Sequence, residues 1–411
     1  MSDIGAGALP APQIKLSGSR IFFLVLTCVM VMVLEGYDIQ SMGIAAPVLM
    51  PLLKLDPVQA GQIFSASQAG VVAGALFGGM VSDSWGRRNV LLPAVLIFGA
   101  FSLSTAFVHD FTTLLAARVL TGLGLGAAMP NIVGLVIDVA PAIHRVKAVS
   151  AIMGGMPLGG ACVALFATLF LKTAGWQSLF YVGGILPMVL VLFIVALPNT
   201  RPVPSAETKV NGFQALFGGG RGLSTLFLWM VFFLTTSVLY MMLNWLPSLM
   251  TTRGFDLEVS HMSSLVFNLA GATGCLIVGI IVDRFGYRRV LPMAYLGFLA
   301  GICGMAFTAG VDPLVISAAA TGFFLMGAQY SLNGVSPMYY PPAARGFGTG
   351  AAIAFGRLGS IMGPLMAGYI LKSGIGPLHG AAGVATAMIP LVAVAGLAMW
   401  VLARQAKVLA D

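Results

Sequence analysis

Long apolar runs separated by short polar turns dominate the sequence. A helix needs about 20 mostly apolar residues to cross a bilayer, and twelve runs of suitable length and composition occur here. They lie near residues 21–46, 57–82, 89–108, 112–138, 146–172, 176–197, 222–250, 258–283, 289–310, 313–338, 345–372 and 380–403. The pattern predicts an all-α membrane protein with twelve transmembrane helices. We expect the first run to be a retained helix, because it is longer than a signal-peptide core, carries charge and lacks a convincing cleavage site.

The segment 198–221 is the longest interruption of this pattern. It contains Pro, Ser, Glu, Lys and a Gly triplet, a composition typical of a linker. The sequence therefore predicts a six-helix bundle over residues 21–197, a cytoplasmic linker over 198–221 and a second bundle over 222–403. Residues 1–20 and 404–411 are expected to be cytoplasmic tails.

Composition excludes several other classes of protein. Hydrophobic residues make up 58% of the chain and charged residues 8%, far from the quarter that is charged in soluble domains. The net charge of +8 comes from dispersed Lys and Arg, without the basic stripe that nucleic-acid binding needs. The four Cys lie in apolar runs and the four His lack metal-ligand spacing. We expect no enzyme activity, no metal, no cofactor and no nucleic-acid partner.

The positions of the basic residues predict the orientation. With the N-terminus inside, fifteen Lys and Arg fall in inner segments, and four, Lys54, Lys172, Arg253 and Lys372, fall in outer loops. Positively charged loops stay cytoplasmic. We therefore expect a multi-pass protein of a bacterial-type inner membrane with both termini in the cytoplasm.

The two halves repeat at an offset of 200 residues. Gly79, Asp83, Gly86 and Arg88 recur as Gly279, Asp283, Gly286 and Arg288, and Pro141 and Arg145 recur as Pro341 and Arg345. Two similar bundles that can tilt about a site between them are what a rocking transporter requires.

The turn Gly79 to Arg88 resembles the signature loop of the major facilitator superfamily, and Gly279 to Arg289 is a less perfect copy. The small residue is expected to allow close helix approach, and the charges to latch the inside closed. The predicted cytoplasmic gate comprises Gly79, Asp83, Gly86, Arg87, Arg88, Asp138, Arg145, Asp283, Arg288 and Arg345.

Residues that take part in transport are expected at positions where the sequences of the two halves differ. At the same offset Arg118 corresponds to Ala318 and Arg357 to Pro157, while Glu35 and Asp38 meet uncharged residues. A charge in mid-helix costs about 2.5 to 3.5 kcal/mol, so all four need partners or a wet cavity.

Glu35 and Asp38 lie three residues apart on one helix face. Two carboxylates in an apolar setting favour protonation of at least one, which suits a proton carrier. Arg118 precedes Gly122 and Gly126, which are expected to let another helix pack closely. Arg118 either trades partners with a carboxylate or forms a permanent structural ion pair.

Arg357 lies near the middle of the eleventh run, and the acids of its own half lie at helix ends or in loops. Its planar guanidinium matches a carboxylate in a bidentate manner. Arg357 is therefore either an anion receptor or the structural partner of Asp38 or Glu35.

The motif Glu35-Gly36-Tyr37-Asp38, followed by Gly43 and Pro47, resembles that of the aromatic acid:proton symporters of the same superfamily. The likeness spans all twelve helices and is greatest to the hydroxyphenylpropionate branch. It implies import of an aromatic carboxylate such as a hydroxyphenylpropionate, benzoate or hydroxybenzoate by a monomer, with protons as the coupling ion. By resemblance, Asp38 is the essential acid, Arg118 its coupling partner and Arg357 the substrate ligand. Many members begin the motif with Asp where this chain has Glu35.

Polar and aromatic residues within other apolar runs can complete a substrate pocket or simply join helices. They are Gln68, Tyr240, Asn244, Trp245, Asn268, Gln329, Tyr330 and Asn333.

Two rival functions compete with import. Small residues around Pro157 favour, weakly, a proton-driven exporter of lipophilic compounds, which would not need Arg357. A membrane nutrient sensor usually carries a long soluble tail, whereas eight residues, 404–411, follow the last run here. Import remains the favoured interpretation.

Overall fold

The computed structural model describes residues 16–201, 212–341, 344–373 and 381–405, the side chains of 142–147 and 381 excepted. Twelve helices in this part of the chain are long and apolar enough to cross a membrane, and no strand occurs among the described residues. The helices are α1 (Gly18–Leu52), α2 (Pro57–Trp85), α3 (Arg87–Thr105), α4 (Phe111–Val139), α5 (Ala142–Ala174), α6 (Gln177–Val195), α7 (Gly212–Phe217), α8 (Gly222–Thr252), α9 (Leu257–Phe285), α10 (Tyr287–Phe307), α11 (Val311–Val335), α12 (Arg345–Ser373) and α13 (Ala381–Gln405). The predicted fold class is confirmed.

The predicted tails and linker are only partly covered. Residues 1–15, 202–211 and 406–411 lie outside the described residues. Within the predicted linker the structure adds the short helix α7, and Ser336–Tyr339 form a 3-10 turn after α11.

Local sequence explains where several helices begin and end. Asp56 caps α2 through a reciprocal capping box with Gln59, and Asp110 caps α4. The backbone N–H of Gln59 and the ammonium of Lys372 lower the pKa of Asp56 below its ordinary value. Helix α2 ends at Trp85 and is followed by Gly86, whose φ of +86° favours glycine.

Glycines set the spacing of helices inside each half. Gly122 and Gly126 of α4 lie so close to the α2 backbone that a Cβ at either position would overlap a carbonyl oxygen. Gly322 of α11 meets α9 in the same way. The close packing predicted for Gly122 and Gly126 is confirmed, and each half contains a tightly packed helix pair.

We call the side of the bundle that carries residues 196–201 and 212–221 the linker side and the opposite side the far side. The two halves meet through α1 and α8, α2 and α12, and α5 and α9. On the far side Lys172 pairs with Glu258 at 3.3 Å, and Lys372 pairs with Asp56 at 2.9 Å. On the linker side, the described residues contain no ion pair between the halves. The far side of the interface is therefore closed in this conformation.

Candidate functional site

The buried charges of α1 and α4 form one ion pair. Arg118 Nη1 lies 3.2 Å from Asp38 Oδ2, and the two side chains are 1% and 0% exposed. Ser102 donates to the other Asp38 oxygen, and the second Arg118 Nη donates to Thr105. The Arg118 guanidinium also lies 5.3 Å from the centroid of the Phe180 ring. Both charges thus have partners, all of them in the N-terminal half.

Glu35 lies one turn from Asp38 on α1 and has no such partner. Its side chain is buried, and its Oε2 has no hydrogen-bond partner among the described residues. Gly36 beside it touches the backbone of Met156, which brings α1 close to α5. Gly36 thus allows the close approach of α1 and α5, and Glu35 is left as a buried acid at the interface of the halves.

Arg357 of α12 is half-buried and reaches across that interface. Its Nη1 lies 3.5 Å from the Tyr240 hydroxyl, and its Nη2 lies 3.2 Å from the Sδ of Met129, which belongs to α4. Among the described residues no carboxylate lies within the 4.0 Å of an ion pair with it. The alternative of a permanent pair with Asp38 or Glu35 is therefore not what this conformation shows.

Four of the predicted residues lie within electrostatic reach of one another. Glu35, Tyr240, Tyr330 and Arg357, which we call the central cluster, interact electrostatically although they come from α1, α8, α11 and α12. The Tyr330 hydroxyl also approaches the carbonyl oxygen of Met153 at 3.5 Å, across the halves. The cluster combines one guanidinium, one carboxyl and two phenol rings at the interface.

Other predicted pocket residues are engaged in helix packing in this conformation. The Asn244 amide donates to the Tyr240 carbonyl at 2.8 Å, and the Trp245 indole N–H donates to the Pro364 carbonyl at 3.0 Å. Trp245 also meets Phe64 edge-on. The Trp245 contacts join α8 to α2 and α12, whereas the Asn244 hydrogen bond lies within α8.

The remaining predicted pocket residues are more varied. The Oε1 of Gln329 accepts a hydrogen bond from Thr236 at 3.4 Å. Gln68 is buried, with an Oε1 that has no partner among the described residues. Asn333 is half-buried near the end of α11.

Asn268 forms a reciprocal amide pair with Gln40. Asn268 Nδ2 donates to Gln40 Oε1 at 2.7 Å, and Gln40 Nε2 donates to Asn268 Oδ1 at 3.0 Å. Both side chains are buried, and a Cβ at Gly160 would overlap both amides. The pair joins α1 to α9 between the halves. We did not single out Gln40 from the sequence, although an amide two residues after Asp38 in an apolar helix was a usable signal.

Three predicted gate residues of the N-terminal half, Arg87, Arg88 and Asp138, make polar contacts on the linker side. Arg87 Nε lies 2.7 Å from Asp138, which also accepts a hydrogen bond from Thr200 at 2.6 Å. Arg88 donates to the carbonyls of Val195 and Leu197. In this conformation these contacts tie the end of α6 to α3 and α4, all within one half.

The predicted gate residues of the other half make fewer described contacts. Arg345 donates to the Tyr340 carbonyl at 3.4 Å, and Arg288 is half-buried. Asp83 and its repeat Asp283 are exposed, without an ion pair among the described residues. Gly286, the repeat of Gly86, also has a positive φ. The side chain of Arg145 lies outside the described residues.

One gate expectation was wrong in this conformation. A Cβ added at Gly79 or at Gly279 would meet open space, so neither glycine is needed for close helix approach. The preceding residue, Gly78, faces α4 and packs against Ala127 instead. The motif does not reveal which of two adjacent glycines faces the neighbouring helix.

Comparison with known proteins agrees with this architecture. The family model described as "Major Facilitator Superfamily" matches residues 28–336 and 258–410. The 3-(3-hydroxy-phenyl)propionate transporter of Escherichia coli strain K12 is 36% identical over 94% of this chain and 95% of its own. The gallate transporter of Pseudomonas putida is 32% identical over 86% of each chain. The 4-hydroxybenzoate transporter PcaK of Pseudomonas aeruginosa is 31% identical over 85% of this chain and 86% of its own.

Solved structures support the fold independently. A crystal structure of a D-xylose-proton symporter superposes with a TM-score of 0.78 at 18% identity, covering 94% of this chain and 97% of that one. A bacterial homolog of the human lysosomal transporter Spinster superposes with a TM-score of 0.74 at 17% identity, covering 95% and 98%. The predictions of a multi-pass membrane transporter and of no enzyme activity are confirmed. The chain belongs to the Major Facilitator Superfamily.

Proposed function

We propose that this protein imports an aromatic carboxylate together with protons by alternating access. The observation that carries the proposal is Arg357, an interface guanidinium whose described contacts are a phenol and a thioether in place of an acid. The substrate class is supported by the relatives, which are transporters of 3-(3-hydroxyphenyl)propionate, gallate and 4-hydroxybenzoate.

The central cluster has the chemistry to bind such an anion. The guanidinium of Arg357 can hold both oxygens of a carboxylate. The rings of Tyr240 and Tyr330 offer apolar faces to an aromatic ring and hydroxyls for its polar substituents. A proton on Glu35 removes the repulsion between its carboxyl and the incoming anion. A hydroxyphenylpropionate, a benzoate or a hydroxybenzoate fits these requirements.

Asp38 is the proposed main proton site. Both of its oxygens accept hydrogen bonds, and one faces Arg118 at 3.2 Å. A proton on Asp38 removes the charge that holds Arg118, while Thr105 and Phe180 still contact the guanidinium. Protonation of Asp38 would therefore weaken the ion pair between α1 and α4. This weakening is how proton binding is coupled to movement of the halves.

The driving force follows from the charge carried. One proton with one monovalent anion is electroneutral, and a gradient of one pH unit supplies about 1.4 kcal/mol, or roughly tenfold accumulation. A second proton, on Glu35, would add the membrane potential, about 2.3 kcal/mol per 100 mV.

The distribution of Lys and Arg supports a cytoplasmic position for the linker side. The protein would then lie in the inner membrane of a bacterium with both termini inside and function as a monomer. In this orientation the closed far side faces the outside, and the central cluster would open toward the cytoplasm.

The test is uptake of labelled 3-(3-hydroxyphenyl)propionate and benzoate into proteoliposomes under an imposed pH gradient. Arg357→Lys keeps the charge but removes the planar fork, so we expect at least a tenfold fall in uptake. Arg404→Lys makes the same change at an exposed site and serves as the matched control. Normal uptake by Arg357→Lys would refute the carboxylate role, and uptake that ignores an uncoupler would refute proton coupling.

A further inference from the structure

A cavity lies on the far side between α1, α5 and α9, away from the central cluster. Its volume is about 150 Å³. Val48 and Leu171 are among its apolar lining residues, Trp176 forms part of its wall, and Lys172, Glu258 and His261 supply its polar groups. The cavity therefore combines an aromatic surface with a cation, a carboxylate and an imidazole.

His261 is the unexplained group in this cavity. Its side chain is 3% exposed, and its Nε2 is buried with no hydrogen-bond partner among the described residues. A buried polar atom without a partner is costly, and such atoms in native proteins call for an explanation. His261 is among the residues that line the cavity, and a ligand that reaches its imidazole from there would supply the missing hydrogen-bond partner.

Lys172 supplies the cation at the edge of the same cavity. It pairs with Glu258 at 3.3 Å, but the side chains are 74% and 65% exposed. Exposed pairs of this kind hold their partners weakly. A carboxylate that enters the cavity can therefore compete with Glu258 for the ammonium group of Lys172.

The internal repeat shows that this combination is not part of the common scaffold. Lys172 has its repeat in Lys372, which also forms a far-side ion pair between the halves. At the same offset Trp176 corresponds to Gly376 and His261 to Gly61. The ion pair thus occurs in both halves, while the imidazole and the indole belong to one.

The wall of the cavity also leads toward the buried ion pair. The Trp176 ring meets Phe180 edge-on at 5.9 Å between centroids, and Phe180 contacts the Arg118 guanidinium. A molecule against Trp176 would be separated from Arg118 by two aromatic rings.

We propose that this cavity is a second binding site for an aromatic carboxylate, with the ring against Trp176, the carboxylate on Lys172 and a hydrogen bond to His261. Its occupation displaces Glu258 and weakens one of the two ion pairs that close the far side. The site is an outer site that the substrate meets before the central cluster. The choice of ligand rests on the function proposed above.

The experiment measures binding of labelled 3-(3-hydroxyphenyl)propionate to the purified full-length protein by equilibrium dialysis. We expect two molecules per chain for the wild type and one for Arg357→Gln. His261→Ala should weaken the remaining site of the Arg357→Gln protein at least tenfold. Lys372→Ala breaks the matching ion pair of the other half, in which Gly61 corresponds to His261, and should leave that site unchanged.

Trp176 provides a second measurement. The acid should quench part of the tryptophan fluorescence, and this part should be absent from the Trp176→Phe protein. The neutral 3-phenylpropionamide lacks the carboxylate and should neither bind to the Arg357→Gln protein nor quench Trp176.

Several outcomes would overturn the inference. They are a single bound molecule in the wild type, no binding to Arg357→Gln, or equal binding with and without His261. If Arg357→Gln fails to fold, the number of molecules bound by the wild type and by His261→Ala decides the question. The inference requires two molecules per chain for the wild type and one for His261→Ala. Failure of the second site leaves wild-type uptake intact, whereas failure of the proposed function abolishes uptake of every aromatic acid tested.

Discussion

The buried pair of Asp38 and Arg118 makes a quantitative prediction. Asp38→Asn leaves the Arg118 charge without a counter-charge, and Arg118→Gln does the same to Asp38. The side chains are 0% and 1% exposed, and removing one partner of such a buried pair costs about 3–5 kcal/mol. The double variant has no unpaired charge, and its amides can keep the hydrogen bonds to Ser102 and Thr105. We expect it to be about 3 kcal/mol more stable than the sum of the single changes implies.

The free energy of unfolding can be measured by SDS titration in mixed micelles for all four proteins. Single changes that simply add, within about 0.5 kcal/mol, would refute a strong ion pair. A transport assay tests the proposed role separately. Asp38→Asn should abolish accumulation driven by a pH gradient but retain exchange of labelled for unlabelled substrate. Normal accumulation by Asp38→Asn would exclude Asp38 as the proton carrier.

Three further predictions concern stability. Gln40→Leu leaves the buried Asn268 Oδ1 without its donor, although Nδ2 still donates to the Ser264 carbonyl, and should cost about 1–3 kcal/mol. The exchange Gln40→Asn with Asn268→Gln should recover most of it; equal losses would contradict the pair. Asp56→Ala removes the cap of α2 and should cost about 1 kcal/mol at pH 7. Because the folded protein lowers the pKa of Asp56 below 3.8, this difference should shrink as the pH falls below that value, and a constant difference would refute the role of charge. Gly126→Ala should cost about 1–3 kcal/mol and the control Gly79→Ala close to nothing, as measured by unfolding; equal costs would show that close packing at Gly126 is unimportant.

Twelve spans were predictable because a helix that crosses a bilayer must be long and apolar. Such helices are visible in the sequence as uninterrupted apolar runs. The glycines of α4 were equally accessible, since Gly122 and Gly126 recur at one helical turn. The choice between Gly78 and Gly79 was not, because it depends on the rotation of α2 about its axis. That rotation is fixed by the helices around it.

The charged centre was partly predictable. Four ionisable residues within apolar runs stand out, and all four are buried or half-buried. Three of them, Asp38, Arg118 and Arg357, have side-chain partners among the described residues. The residue pattern alone left open which acid pairs with Arg118, the family resemblance implied Asp38, and the structure shows Asp38. Ser102 and Phe180 could not be found in advance, since a serine or a phenylalanine in a membrane helix is too common to attract notice.

The halves differ in what they contribute. The buried pair of Asp38 on α1 and Arg118 on α4 lies wholly in the first bundle. The Arg357 guanidinium on α12 belongs to the second. On the proposed roles, the first bundle carries the driving ion and the second selects the cargo. A chimaera that takes residues 222–403 from a relative with another substrate should therefore change what is carried without changing how its transport is powered.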